Sequence, residues 1–455
     1  MDSPLQRIDH IMWDAESSNS LTTIAGILVF KKKLNKQKLI DVIEKRLLKY
    51  ERFQKKVVIK NGNPMWHFDE DFQLQSHIHH IALPNNGSYK DLQECLTDLI
   101  SQPLNYNKPL WDAHIIDNYE GGCVLLWRLH HAMADGMALV KVIFSLTGAS
   151  ARESLSANFP MPEVSSISKT SELDGLKELG LSLYEEAKHL LLNPLSLGTT
   201  LLQNWETMKE IRELFIGKKI SHTIYKGKLG AIKKAAWSEA LPLDIIKQIG
   251  KFHKATINDI LVAMVAGALR KHLLLHHISV KHGMKVVLPM NIRKSKEIKS
   301  IHNEFSLISF DLPIHLKSFK EIIEFVREKT SILKLSAEPL FLSEMLHLLA
   351  DYTPALAKEK FLEIIGQHIG GVVTNVPGPS HAIYLAGEKV EDIHFWVSHT
   401  TTLGVGISLM SYNGKVYMGI VTDTGLVKDP DVITKAFVNE FRQMERSLVR
   451  KANKA

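Results

Sequence analysis

The run CVLLW, Cys123 to Trp127, is an uninterrupted apolar stretch of the kind that fills a buried strand, and it ends just before two adjacent histidines. Ala132-Met133-Ala134-Asp135-Gly136 follow, after which Ala138, Leu139, Val142, Ile143 and Leu146 return at helical spacing. A buried strand, a tight turn and an apolar-faced helix in direct succession call for a layered α/β arrangement, because both elements must bury apolar surface against one core. The turn also carries two titratable rings and a carboxylate. A histidine near its ordinary pKa can take a proton from a hydroxyl at neutral pH and return it to a leaving group, provided a partner at the other ring nitrogen holds its tautomer. His131 and Asp135 stand four apart, which suits a contact on a helical turn, although a tight loop could equally carry the carboxylate away from the ring. Gly136 is expected to supply backbone freedom where loop meets helix. Taken alone, His-x-x-x-Asp also arises by chance, and a histidine at a strand end is commonly just hydrogen-bonded.

The rest of the chain repeats the alternation. TTIAGILVF (Thr22 to Phe30) reads as a strand, and Leu39, Val42, Ile43, Leu47 and Tyr50 then line one helical face. Leu92, Cys95, Leu96, Leu99 and Ile100 mark a second helix. DAHIID (Asp112 to Asp117) and CVLLWRL, separated by NYEGG, predict a hairpin. At 455 residues the chain exceeds one ordinary core, so two domains are expected. The small-residue and proline-rich stretch from Gly148 to Glu172 marks a linker, followed by a helical region from Leu173 to about Gly217. We therefore divide the chain into residues 1–160, a helical linker at 161–220, and residues 221–455. The second half holds the helix TINDILVAMVAGALR, the strands KVVLPMNIR and EFSLISFDLPI, two helical stretches from Phe319 to about Glu359, and then mostly strands.

The two cysteines, Cys95 and Cys123, fall inside apolar patterns and read as core residues of a reducing compartment. A formal charge of +7 is compatible with an anionic substrate such as a CoA ester or with an anionic membrane surface, and no nucleic-acid motif accompanies it. The N-terminus has no secretory pattern and no apolar window is long enough to span a bilayer, which leaves a cytoplasmic protein, free or bound peripherally to membrane or lipid inclusions.

HHAMADG resembles the HHxxxDG signature of the CoA-dependent acyltransferase superfamily, in which condensation domains of peptide synthetases share the pattern. Further segments are similar to the wax ester synthase/diacylglycerol acyltransferase family: DHIMWDAE near the start, the block Pro109-Leu110-Trp111, the pair Asn258-Asp259 opening a helix, NVPGP at Asn375 to Pro379, and SYNGKVYMGIVTD near the end. They run in order across nearly the whole chain. Two departures, LPMNIR (Leu288 to Arg293) and SLTTIAG, bear on acceptor or chain-length preference.

The resemblance implies an α/β fold of two chloramphenicol acetyltransferase-like domains with an active-site channel at their interface. It implies transfer of a long-chain acyl group from acyl-CoA to a fatty alcohol or diacylglycerol, without a covalent acyl-enzyme. It makes His131 the general base and gives His130 a supporting place, with His130 as base the alternative. Asp135 would point away from the ring and hold the loop, with Arg293 as its partner. Asn375, Pro377 and Gly378 would shape the acceptor side, and Pro109, Leu110 and Trp111 would serve packing. Asn258 and Asp259 stay open between lining the site and capping the helix, since Thr256 and Asp259 have capping-box spacing. No metal and no cofactor beyond the acyl-CoA co-substrate is implied. Two rivals remain at this point, a condensation-type enzyme using carrier-bound donors and a non-catalytic lipid-binding protein.

Overall fold

Two sheets carry the architecture of the computed structural model, which describes residues 2–156, 223–291, 305–334, 368–398 and 402–452. In the first sheet the strand Gly122–His130 lies between Thr23–Phe30 and Trp111–Tyr119, antiparallel to both. All nine of its residues are buried, which is why CVLLW needs no polar alternation. The predicted hairpin forms, and its turn uses positive φ at Asn118 (70°), Glu120 (48°) and Gly121 (82°). Ile78–Ala82 extends one edge of this sheet in parallel.

The other edge is covered by Asp392–Trp396, which pairs antiparallel with Thr23–Phe30. A strand that the sequence division places in residues 221–455 thus belongs to the N-terminal sheet. The physical reason lies in its alternation. Ile393 and Phe395 enter the N-terminal core, whereas Trp396 packs between the sheets and His394 rests against Trp237 and Tyr417. A strand with two apolar surfaces to satisfy closes an edge that would otherwise expose unpaired amides. The expected linker at 161–220, its helical region from 173 to 217 and the second helical stretch after Phe319 lie outside the described residues.

The second sheet runs in the order Phe305–Leu312, Met284–Asn291, Val372–Pro377, Val405–Tyr412, Lys415–Asp423 and Lys233–Trp237, with Leu241–Pro242 also pairing on Lys415–Asp423. The helix Ile257–Leu275 packs on it. This helix is apolar around most of its circumference, and every residue from Ile260 to Leu269 is buried. Ala25, Ile27, Leu92, Leu96 and Val124 from the first half share a core with Ala235, Trp237, Trp396 and Val421. Polar contacts pin the same boundary, since Tyr89 Oη donates to Asp431 (3.0 Å) and Gln93 Nε2 to the Ala235 carbonyl (2.9 Å). Cys123 is buried and Cys95 half-buried, and both are free thiols.

Among the described residues no single helix is long and apolar enough to cross a membrane. The bent pair Leu243–His253 and Ile257–Leu275 passes a combined length and composition test, but its second member is a core helix.

Candidate active site

The end of the strand Gly122–His130 is held from both sides. The His130 amide donates to the Leu110 carbonyl (3.0 Å) and the His131 amide to the Thr22 carbonyl (2.8 Å). Pro109, Leu110 and Trp111 brace that end from the neighbouring strand, all three buried. Trp111 Nε1 donates to the Phe53 carbonyl (2.9 Å) and its ring stacks on His77 at 4.5 Å. The Pro-Leu-Trp block therefore acts through packing and one backbone hydrogen bond to the histidine.

His130 is 1 % exposed, and both its ring nitrogens are committed inside the protein. Nδ1 accepts the Ala132 amide (3.0 Å), so the proton resides on Nε2. Nε2 meets Glu16 Oε2 at 2.6 Å and Thr22 Oγ1 at 2.9 Å. Glu16 in turn accepts from the Thr22 amide (3.0 Å), the Thr22 hydroxyl (2.6 Å) and the Tyr106 hydroxyl. Burial works to raise the Glu16 pKa, but hydrogen bonds led by that from His130 outweigh it and hold the group at about 2, against an ordinary 4.5. The turn that carries His131 is thus fixed by a buried Glu16–His130–Ala132 chain.

Neither Glu16 nor Thr22 was assigned a role from sequence. Glu16 sits within the quoted DHIMWDAE block, which was the available signal; its partner lies 114 positions away (130 − 16) and no local pattern reveals the pairing. Because the folded-state pKa is depressed, the stability contributed by Glu16 is present above pH 4.5 and lost as pH falls toward 2. Thermal unfolding across that window is expected to show the wild type losing stability faster than Glu16→Gln. Parallel curves would remove this account of the carboxylate.

His131 differs from its neighbour. It stands in the turn and is half-buried, with Nδ1 on the interior side of the ring. Asp135 is 4 % exposed and is the N-cap of the helix Gly136–Ser145, its Oδ1 accepting the Ala138 amide at 2.9 Å. Arg293, its expected partner, lies outside the described residues. Gly136 departs from expectation: it is absent from the positive-φ positions, so no backbone freedom is used there. A Cβ built at Gly136 meets nothing within 4 Å. Glycine leaves open space beside the histidine turn. Gly136→Leu is expected to fold normally, because a Cβ there meets no neighbour, and circular dichroism checks this.

The Asn-Asp pair divides. Asp259 completes a capping box with Thr256 and also accepts from Thr330 Oγ1 (2.7 Å), so both its oxygens are engaged within the fold. Asn258 instead accepts from Asn375 Nδ2 at 3.0 Å, joining two motifs 117 residues apart. Asn375 lies on the strand Val372–Pro377, whose Val376 packs in the same core cluster as Ala132, Met133 and Ala138. Gly378, expected on the acceptor side, is required by backbone approach: its amide donates to the Ser411 carbonyl (2.8 Å), and a Cβ there would sit 2.3 Å from that oxygen. Pro377, half-buried, ends the strand just before this contact. Between the sheets a small crevice of about 30 Å³ is lined by Thr23, Ala25, Ile100, Lys233, Trp396 and Val421. Thr23 directly follows Thr22, whose carbonyl holds the His131 amide, so the crevice reaches to within one residue of the histidine turn.

A family model described as the wax ester synthase/diacylglycerol acyltransferase catalytic domain matches residues 5–261, and one for the C-terminal domain of the same family matches residues 301–445. The chain belongs to this family. Among relatives, O-acyltransferase WSD of Acinetobacter baylyi is 24 % identical over 92 % of this chain and 92 % of its own length. A probable diacyglycerol O-acyltransferase of Mycobacterium tuberculosis is 23 % identical over 81 % of this chain and 78 % of its own. The solved wax ester synthase/diacylglycerol acyltransferase from Marinobacter aquaeolei VT8 superposes with a TM-score of 0.70 at 18 % identity, covering 98 % of this chain and 99 % of that one. The first condensation domain of the calcium-dependent antibiotic synthetase, in complex with a substrate analogue, gives 0.66 at 14 %, covering 98 % and 96 %. These two likenesses establish a shared mixed α/β fold, and the family models separate this chain from the condensation domains.

Proposed function

We propose that this chain transfers a long-chain acyl group from acyl-CoA to a fatty alcohol or diacylglycerol, with His131 as general base. The observation that carries this reading is the division between the two histidines. Both nitrogens of His130 are engaged in the interior, whereas His131 stands half-buried in the turn. His131 Nε2 takes the proton of the alcohol as its oxygen attacks the thioester carbonyl carbon. The carbon–sulfur bond then breaks, and the imidazolium returns the proton to the departing CoA thiolate. The step balances with acyl-CoA and alcohol alone and forms no bond to the protein. Asp135 holds the helix start against the turn and takes no part in proton transfer.

Both substrates are lipids, so peripheral association with membrane or lipid inclusions in the cytoplasm belongs to the same proposal. The experiment that tests it is an acceptor panel of hexadecanol, diacylglycerol and a short alcohol, each offered with palmitoyl-CoA and no carrier protein. Ester formation with a long-chain acceptor supports the reading. Activity only with carrier-bound acyl donors, or none with any acceptor, overturns it.

A further inference from the structure

Far from the histidine turn, at the other end of the helix Ile257–Leu275, two histidines and an aspartate converge. His272 and His276 are one turn apart, so their rings project from the same side of the helix. Asp429 immediately precedes the helix Pro430–Ala452 and presents its carboxylate to both rings. His272 Nε2 lies 3.2 Å from Asp429 Oδ1, and His276 Nε2 lies 3.1 Å from Oδ2. The three ligand atoms all fall within 4.8 Å of one another. We propose that His272, His276 and Asp429 form a binding site for a divalent transition-metal ion, Zn²⁺ foremost, that clamps this helix end to the C-terminal helix.

The geometry fits such an ion closely. Tetrahedral zinc with Zn–N and Zn–O near 2.0–2.1 Å sets its ligand atoms roughly 3.3 Å apart, close to the 3.2 and 3.1 Å that separate the two ring nitrogens from the Asp429 oxygens. The outer contacts fit as well. A metal-ligating histidine ordinarily has its second nitrogen fixed by a partner, and His272 Nδ1 lies 2.8 Å from the hydroxyl of Tyr225, itself 3.3 Å from the Leu269 carbonyl. His272 and Tyr225 are both fully buried, which makes the first ligand rigid. The side chains of His276 and Asp429 are 40 % and 34 % exposed, which leaves a path for the ion and room for a water as fourth ligand. The carbonyl end of the helix adds negative potential at the same place.

A second cluster, His79, Asp112 and His114, lacks this character. Both oxygens of Asp112 are taken by Arg128, at 2.9 and 2.6 Å, so a fixed guanidinium already stands where an ion would go. No local spacing reveals the first cluster, because its third ligand lies 153 residues from His276 (429 − 276).

His276 lies eighteen positions beyond Asn258, about 27 Å along a helix, so the ion would act on stability and leave the acyl-transfer step alone. The full-length protein, stripped with chelator, should be titrated with ZnCl₂ by calorimetry and with Co²⁺ by visible absorption. The expected results are one saturable Zn²⁺ per chain, the absorption of a tetrahedral nitrogen/oxygen cobalt site, and a Tm rise of roughly 2–4 °C at a hundredfold excess over Kd. His276→Ala and Asp429→Asn should each weaken binding tenfold or more with circular dichroism unchanged, and His79→Ala should leave it intact. The proposal is overturned if the wild type shows no saturable binding, or if His276→Ala binds as the wild type does.

Discussion

Replacing His131 with alanine is expected to lower kcat/KM for ester formation by about 10³-fold, within the range general-base catalysis supplies, and to change Tm less than the loss of His130 does. The side chain is half-buried in a turn, and the hydrogen bond that seats the residue, from its amide to the Thr22 carbonyl, is made by backbone that alanine retains. His130→Leu should behave oppositely. It removes the partner of the Ala132 amide and one of the donors to Glu16, leaving buried polar groups unsatisfied at a cost of about 1–3 kcal/mol each. Its activity loss should therefore come with a fall in Tm. The pair of variants distinguishes a base from the residue that positions it. Equal Tm losses in both, or an unaffected rate in His131→Ala, would reverse the assignment.

Arg128→Met is expected to destabilise the protein by about 3–5 kcal/mol, the usual consequence of stranding one member of a buried ion pair. Arg128 sits on the histidine strand two residues before His130 and faces Asp112 across the hairpin. Its Nε and Nη2 contact both Asp112 oxygens, and its Nη1 donates to the Leu99 and Gln102 carbonyls. Burial tends to raise the Asp112 pKa, but His114 and Arg128 bring it below the ordinary value. Without the guanidinium a buried carboxylate must either ionise unpaired or take up a proton. Changing both residues, Arg128→Met with Asp112→Leu, should recover most of the loss, since apolar replacement of a whole buried pair is often close to neutral. Urea unfolding of the single and double variants measures both effects. A single-variant loss below about 1 kcal/mol would show that the pair contributes little.

The elements most legible in the sequence were those whose constraints are local. The hairpin around NYEGG, the capped helix after Thr256 and the strand-to-helix passage at Asp135 each follow from spacing within a dozen residues. The two groups that decide the site were not legible in that way. Glu16 and His130 meet only because Thr23–Phe30 pairs with Gly122–His130, and Asn258 and Asn375 meet only through the packing of the second sheet. Strand Asp392–Trp396 shows the same limit from the other side: its alternation marked it as a strand, but nothing local says which sheet it joins. Gly136 uses no positive φ and Gly378 sits against the Ser411 carbonyl, because a glycine's motif position does not reveal whether conformation, open space or a neighbouring carbonyl requires it.

The central claim is that a half-buried imidazole at position 131 activates the alcohol for direct attack on the thioester. Rapid mixing of the enzyme with palmitoyl-CoA, first without and then with hexadecanol, tests it most directly. The account predicts no burst of free CoA until the alcohol is added, and then CoA and ester in equal amounts. A stoichiometric burst without alcohol, with the acyl group retained on the protein, would contradict it.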